Sequence, residues 1–203
     1  RNLSKEIVEA IYKGFDQLAK RIYSQEKAKE KSEDFLLKVA SIFMSTDNLE
    51  RKLHGVTILA DIYKKIKAKE FEKVTKKDLA TLIEKDGLIE QIIKGHTQLI
   101  TKSTELFKLM FEEGRMNEKN LQLLWTTMRK ADLETKNALG AMLNEAFVEF
   151  SYSQSAYFLT KLSELEAKQI TLDDIELAFK IATYFKSKPG DAAEGIKSLD
   201  VEL

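Results

Sequence analysis

The sequence predicts an all-α protein, an armadillo- or HEAT-like α-solenoid of about eight to ten helices, with a closed helical bundle as the structural alternative. Three observations lead there. Apolar residues recur at three- and four-residue spacing along most of the chain, and no stretch reads as a strand with spacing two. The only proline is Pro189. Proline in a helix interior removes a donor and clashes with the preceding turn, so its absence before that point leaves room for nearly continuous helices. Polar start signals, each a Ser, Thr or Asp three residues ahead of an acid or amide, precede several of the apolar stripes.

In chain order, Leu3, Ile7, Val8, Ile11, Leu18, Ala19 and Ile22 form the first stripe. The charge-rich QEKAKEKSED that follows is an exposed helical extension or a loop, and Ser32 is the expected N-cap of a second helix carrying Phe35, Leu36, Val39, Ala40 and Phe43. Asp47 with Glu50 forms a capping-box variant opening a third helix, with Leu49, Leu53, Val56, Leu59, Tyr63 and Ile66. Thr75 with Asp78 marks the next start, ahead of Leu79, Leu82 and Ile83. Gly87 is a C-cap or hinge, and a short segment Leu88–Ile93 ends at Gly95.

Residues 87–129 form the centre of the chain. Leu99, Ile100, Ser103, Leu106, Phe107 and Met110 make one stripe; Leu121, Leu124, Trp125 and Met128 make the next. The polar turn Glu112-Glu113-Gly114-Arg115 between them implies an αα-hairpin whose stripes face each other. Beyond it, Asp132 caps a helix with Leu133, Leu139, Met142, Leu143, Ala146 and Phe147. Ser151 with Gln154 starts another, carrying Tyr152, Ala156, Leu159, Leu162 and Leu165. Thr171 with Asp174 starts the last, with Leu172, Ile175, Ala178, Phe179, Ala182 and Phe185. Periodicity is then lost. Residues 1–186 are therefore read as one helical-repeat domain, a fragment of something longer because the chain opens at Arg1 and not Met, and 187–203 as a tail or linker.

Composition narrows function mainly by exclusion. Lys+Arg and Asp+Glu both number 33, so net charge is zero and bulk attraction to nucleic acid or anionic membrane is not expected. There is no cysteine, which removes a cysteine nucleophile, a thiolate metal site and a disulfide framework from this segment. No apolar run is long enough to span a bilayer. A cytoplasmic or otherwise intracellular location is expected.

His54 and His96 are the only histidines and lie in different elements, with no HExxH motif, so no metal site is expected. No serine-nucleophile motif or glycine-rich phosphate loop occurs. The carboxylate pairs Glu112-Glu113 and Asp173-Asp174 sit at helix ends, where capping and solvation account for them. Trp125 falls on its helix's apolar stripe and is assigned to the core. One stretch, Asp61–Lys77, is basic, with seven lysines against Asp61, Glu70 and Glu72. It could meet nucleic acid or acidic lipid, with Lys64, Lys65, Lys67 and Lys69 at its centre, or be a solvated helix end. No catalytic residue, cofactor or metal is expected.

Two segments carry a family resemblance. One is NLERKLHGVTILADIYKKI, residues 48–66, with Leu49, Glu50, Arg51, Gly55 and Ile62; the other is GHTQLITKSTELFKLMFEEGRMNEKNLQLLW, residues 95–125. Together they resemble the non-catalytic helical region of the large ubiquitin-specific proteases of the fat-facets type. His96 matches that family's helix-initiating histidine, Ile100 and Lys102 lie near its isoleucine-lysine pair, and Leu124-Trp125 matches its closing pair. Met116-Asn117 stands where leucine-threonine is usual, and Ile93-Lys94-Gly95 replaces a phenylalanine-containing turn. The likeness continues less distinctly to about residue 185. It implies an armadillo-like scaffold that binds protein partners beside a deubiquitinase domain, or in a relative that lost one. The family's hydrolase activity needs a cysteine that this segment lacks, so none of its functional residues carries over.

Overall fold

A computed structural model describes residues 5–187, with the side chains of Lys5 and of 185–187 left aside. The tail expected at 187–203 lies almost wholly outside those residues. Among the described residues the chain is helical, without a strand. Eleven α-helices follow in order: α1 Lys5–Ile22, α2 Gln25–Met44, α3 Leu49–Lys67, α4 Lys76–Lys85, α5 Leu88–Ile93, α6 Thr97–Lys102, α7 Thr104–Glu112, α8 Glu118–Lys130, α9 Leu133–Ala146, α10 Tyr152–Ser163 and α11 Leu172–Ser187. Two single 3-10 turns, Phe147–Glu149 and Ala167–Gln169, follow α9 and α10. The count is slightly above the eight to ten expected, because the central stripe is split. Ser103 closes α6 and opens α7, and its buried hydroxyl donates to the Leu99 carbonyl at 2.6 Å. A side-chain donor competing for a helix carbonyl favours such a break.

Local capping sets most boundaries. Thr75 and Asp78 form a reciprocal capping box, as do Ser151 and Gln154. The Thr171 N–H donates to the Asp174 carboxylate at 2.8 Å, and the Asp174 N–H donates back to the Thr171 hydroxyl. Asp132 accepts from the Thr135 N–H. Gly87, at φ +62°, ends α4 in the left-handed conformation and opens α5. Two expected starts are displaced. Asn48, not Asp47, caps α3 by accepting from the Arg51 N–H. Helix α2 starts at Gln25, so QEKAKEKSED is its first half and Ser32 is a buried mid-helix residue, not a cap.

The core is built from contacts between successive and more distant helices. α1 lies on α2 and α2 on α3; α3 packs against α6 and α7; these pack against α9; and α9 packs against α11. Shorter contacts fill the flank, α4 on α3 and α5, α5 on α8, α8 on α9, and α10 on α11. The central stripes are buried as expected, Phe107 and Leu124 completely. They do not close on each other as a two-helix hairpin. α7 packs chiefly on α9 and α3, and α8 on α9 and α5, so both stripes feed one shared core. Trp125 is in that core, near Phe158 and with the Arg129 guanidinium 4.2 Å from its ring centre.

The terminal helices depart from expectation. On α11 the buried side chains are Asp174, Leu177 and Ile181, while Leu172, Ile175 and Phe179 face outward. On α1 only Ala19 is fully buried, and Ile7, Ile11, Leu18 and Ile22 are exposed. Leu133, at the first turn of α9, is exposed as well. α1 packs chiefly on α2, and α11 on α9 and α10, and these neighbours leave part of a wide apolar arc uncovered.

Candidate functional site

A cleft of about 290 Å³ lies between α1, α2 and α3, lined by Val8, Glu9, Tyr12, Lys13, Leu36, Phe43, His54, Thr57, Ile58, Asp61 and Lys65. Its walls follow from helical spacing. His54, Thr57, Ile58, Asp61 and Lys65 recur every three or four residues on one face of α3, and Val8 and Tyr12 do the same on α1. Contacts of Phe15 and Asp16 with α2 fix the wall positions. Phe15 stacks on Phe35 at 4.4 Å between ring centres, and Asp16 accepts from the Ser32 hydroxyl at 3.0 Å and from Lys20 at 2.6 Å. On the other side, α3 approaches α2 closely at Gly55. A Cβ there would lie 2.9 Å from Met44 Cγ and 3.1 Å from the Ala40 carbonyl oxygen. Burial and the neighbouring Asp16 push the Tyr12 phenol upward, so it stays a neutral donor.

Of the two histidines, His54 lies in this cleft beside Phe43, and His96 is exposed at the start of α6, where its Nδ1 accepts from the Gln98 N–H at 3.2 Å. The structure does not bring them into a common ligand set. Among the described residues no group of three His, Cys, Asp or Glu side chains could hold a metal ion.

The Lys-rich stretch forms the end of α3 and the loop to α4. Lys73 pairs with Glu26, Lys76 pairs with Glu112 at 2.5 Å, and Glu72 receives Lys29 at 2.5 Å. Lys65 and Lys67 lie over the rings of Phe71 and Tyr63. Much of the stretch is thus tied into the fold. The tie that sequence reading missed is Glu33. This buried α2 side chain accepts from three successive backbone N–H groups of the loop, Glu72 at 3.0 Å, Lys73 at 2.9 Å and Val74 at 2.7 Å. No local pattern signals it, since donors and acceptor are some forty residues apart.

The acidic pairs divide. Glu112, expected only to cap a helix end or be solvated, joins three helices: it accepts from the Tyr63 hydroxyl at 2.7 Å and from Lys76. Partial burial would raise its pKa, but those two hydrogen bonds outweigh it and hold the carboxyl below its usual range. The same carboxylate, added to burial, drives the Tyr63 phenol far upward. Asp174 caps α11 and is also held by both terminal nitrogens of Arg129, so its carboxyl is kept low despite burial. Each of these shifted groups serves packing or capping, and among the described residues no helix is long and apolar enough to cross a membrane. Compared with protein-family models, curated proteins and solved structures, the chain matches none of them.

Proposed function

We propose that this chain is a non-catalytic protein-interaction scaffold, an armadillo- or HEAT-like solenoid resembling the helical region of a large fat-facets-type ubiquitin-specific protease whose catalytic domain lies elsewhere in the parent protein. The observation that carries the reading is the order of packing. From α1 to α3, then α6–α7, α9 and α11, each helix or helix pair rests on the one before and supports the one after. Stacks of this kind present extended grooves to protein segments. The cleft between α1 and α3 suits that use. It combines apolar walls at Val8, Leu36 and Ile58 with hydrogen-bonding groups at Tyr12, His54 and Asp61, the mixture peptide segments need. The pairing of Lys73 and Lys76 with acids of the same chain weighs against a nucleic-acid or acidic-lipid site in the Lys-rich stretch.

Two measurements test it. A photo-crosslinking residue at Thr57 should give protein adducts in extracts of the source cells, while one at Lys119, distant on α8, should not. Equal labelling from both positions, or none from Thr57, removes the binding role. The family assignment is tested by the coding sequence around this segment, which should encode a papain-like domain with paired cysteine and histidine.

A further inference from the structure

The α3 wall of the cleft leaves a pair of acceptors open. Thr57 and Asp61 both line it, and a spacing of four residues puts their side chains on one helix face, roughly 6 Å apart. The Thr57 hydroxyl gives its proton to the Leu53 carbonyl at 2.8 Å, so toward a ligand it can only accept. The ionised Asp61 carboxylate also only accepts. Among the described residues that carboxylate has no hydrogen bond or ion pair. Lys65, one turn on and the expected partner, instead holds its ammonium 5.6 Å from the centre of the Phe71 ring. From α1, Glu9 and Lys13 line the cleft as one acid and one base and add no net charge. Apart from His54, the remaining lining is apolar or aromatic: Val8, Tyr12, Leu36, Phe43 and Ile58.

From these features we infer that the cleft takes an arginine side chain of a partner peptide, an inference that rests on the scaffold reading and gives its ligand a chemistry. A guanidinium carries five N–H donors in one plane and no acceptor, which complements two acceptors one turn apart. A lysine ammonium is a compact point charge and meets one of them at a time. The methylenes of arginine pack on Leu36 and Ile58, and its planar head packs on the aromatic lining. The chain makes the same contact internally, where the Arg129 guanidinium lies 4.2 Å from the Trp125 ring centre. Other side chains fit worse. An acidic one brings a like charge to Asp61, and an apolar one strips water from Thr57 and Asp61 without replacing its hydrogen bonds.

The test is an amide NMR titration of the whole chain with N-acetyl-L-arginine N-methylamide and with its citrulline counterpart, which keeps the shape and loses the charge. The arginine probe should saturate with a millimolar dissociation constant and shift the amides of Tyr12, Thr57 and Asp61. The citrulline probe should bind at least about tenfold more weakly, the loss expected for a charge-assisted pair. Asp61→Asn should weaken the arginine probe by about the same factor and leave the citrulline probe unchanged, while Asp47→Asn, at an exposed acid outside the cleft, should change neither. Equal binding of the two probes, an Asp61→Asn variant that matches wild type, or shifts that never saturate would each overturn the proposal. The scaffold reading fails separately. Adducts from Thr57 together with equal probe binding would leave that reading standing and remove the arginine, whereas selective arginine binding without adducts would do the reverse.

Discussion

Replacing Glu33 tests the least visible part of this fold. The residue is 5% exposed, and its carboxylate receives three backbone N–H groups at 2.7–3.0 Å. Glu33→Ala removes all three acceptor contacts at once. The N–H groups of Glu72 and Lys73 belong to exposed residues and can turn to water, whereas Val74 is buried and its N–H is left unsatisfied. An orphaned buried donor costs about 1–3 kcal/mol, and lost hydrogen bonds to a charged acceptor add to it, so the expected loss is about 3–4 kcal/mol. Glu33→Gln keeps the shape but turns an amide N–H₂ toward one of the donors, so it should fall between wild type and alanine. Urea unfolding followed at 222 nm gives these values, with an unchanged denaturant slope expected for a purely local loss. At this chain length the alanine variant should melt about 10 °C lower. Hydrogen exchange supplies the decisive check: the Val74 amide should lose protection before those of α9. A loss below about 1 kcal/mol, or a Val74 amide as protected as in wild type, would refute the idea that this carboxylate anchors the loop.

Other perturbations have equally definite outcomes. Phe107→Ala, at a fully buried site, should cost about 3–5 kcal/mol in urea unfolding. Gly55→Ala should cost about 1–3 kcal/mol, because the added methyl meets the Ala40 carbonyl oxygen, a backbone atom, as well as Met44; a melting temperature equal to wild type would show that α2 and α3 have slack there. Acid should destabilise the protein through Asp78, Glu112 and Asp174, whose folded pKa values are all depressed. Depressed carboxylates contribute stability that is present above their unfolded pKa of about 4 and lost as pH falls through the lower folded values. The urea midpoint should therefore fall steeply below about pH 4, and Asp174→Asn should flatten that fall.

How much of this was legible in the sequence depended on distance along the chain. Caps written in three-residue spacing, at Thr75, Asp132, Ser151 and Thr171, were read correctly because both partners are local. The core placement of Phe107, Leu124 and Trp125 followed from periodicity. Asp47 with Glu50 matches the capping-box spacing, yet backbone geometry gives the cap to the adjacent Asn48. Ser32 has the chemistry of a cap and follows a charge-rich stretch, yet α2 runs straight through it. Its actual partner, Asp16, lies on another helix. The stripes of α1 and α11 were assigned inward because periodicity marks an apolar arc without saying how much of it a neighbour covers. In the cleft, His54 stood out from sequence alone; Tyr12, Thr57 and Ile58 did not, since only the packing of α1 across α2 brings them together.

The attachment of α1 has a kinetic meaning. It meets the rest of the chain chiefly through α2 and buries a single residue fully, whereas α9 is enclosed by α6, α7, α8 and α11. Amides of α1 should therefore exchange through openings far less costly than global unfolding, with Tyr23 and Ser24 as the pivot. Each such opening takes away one wall of the cleft. A ligand in that cleft would, by mass action, hold the helix down and make those openings rarer.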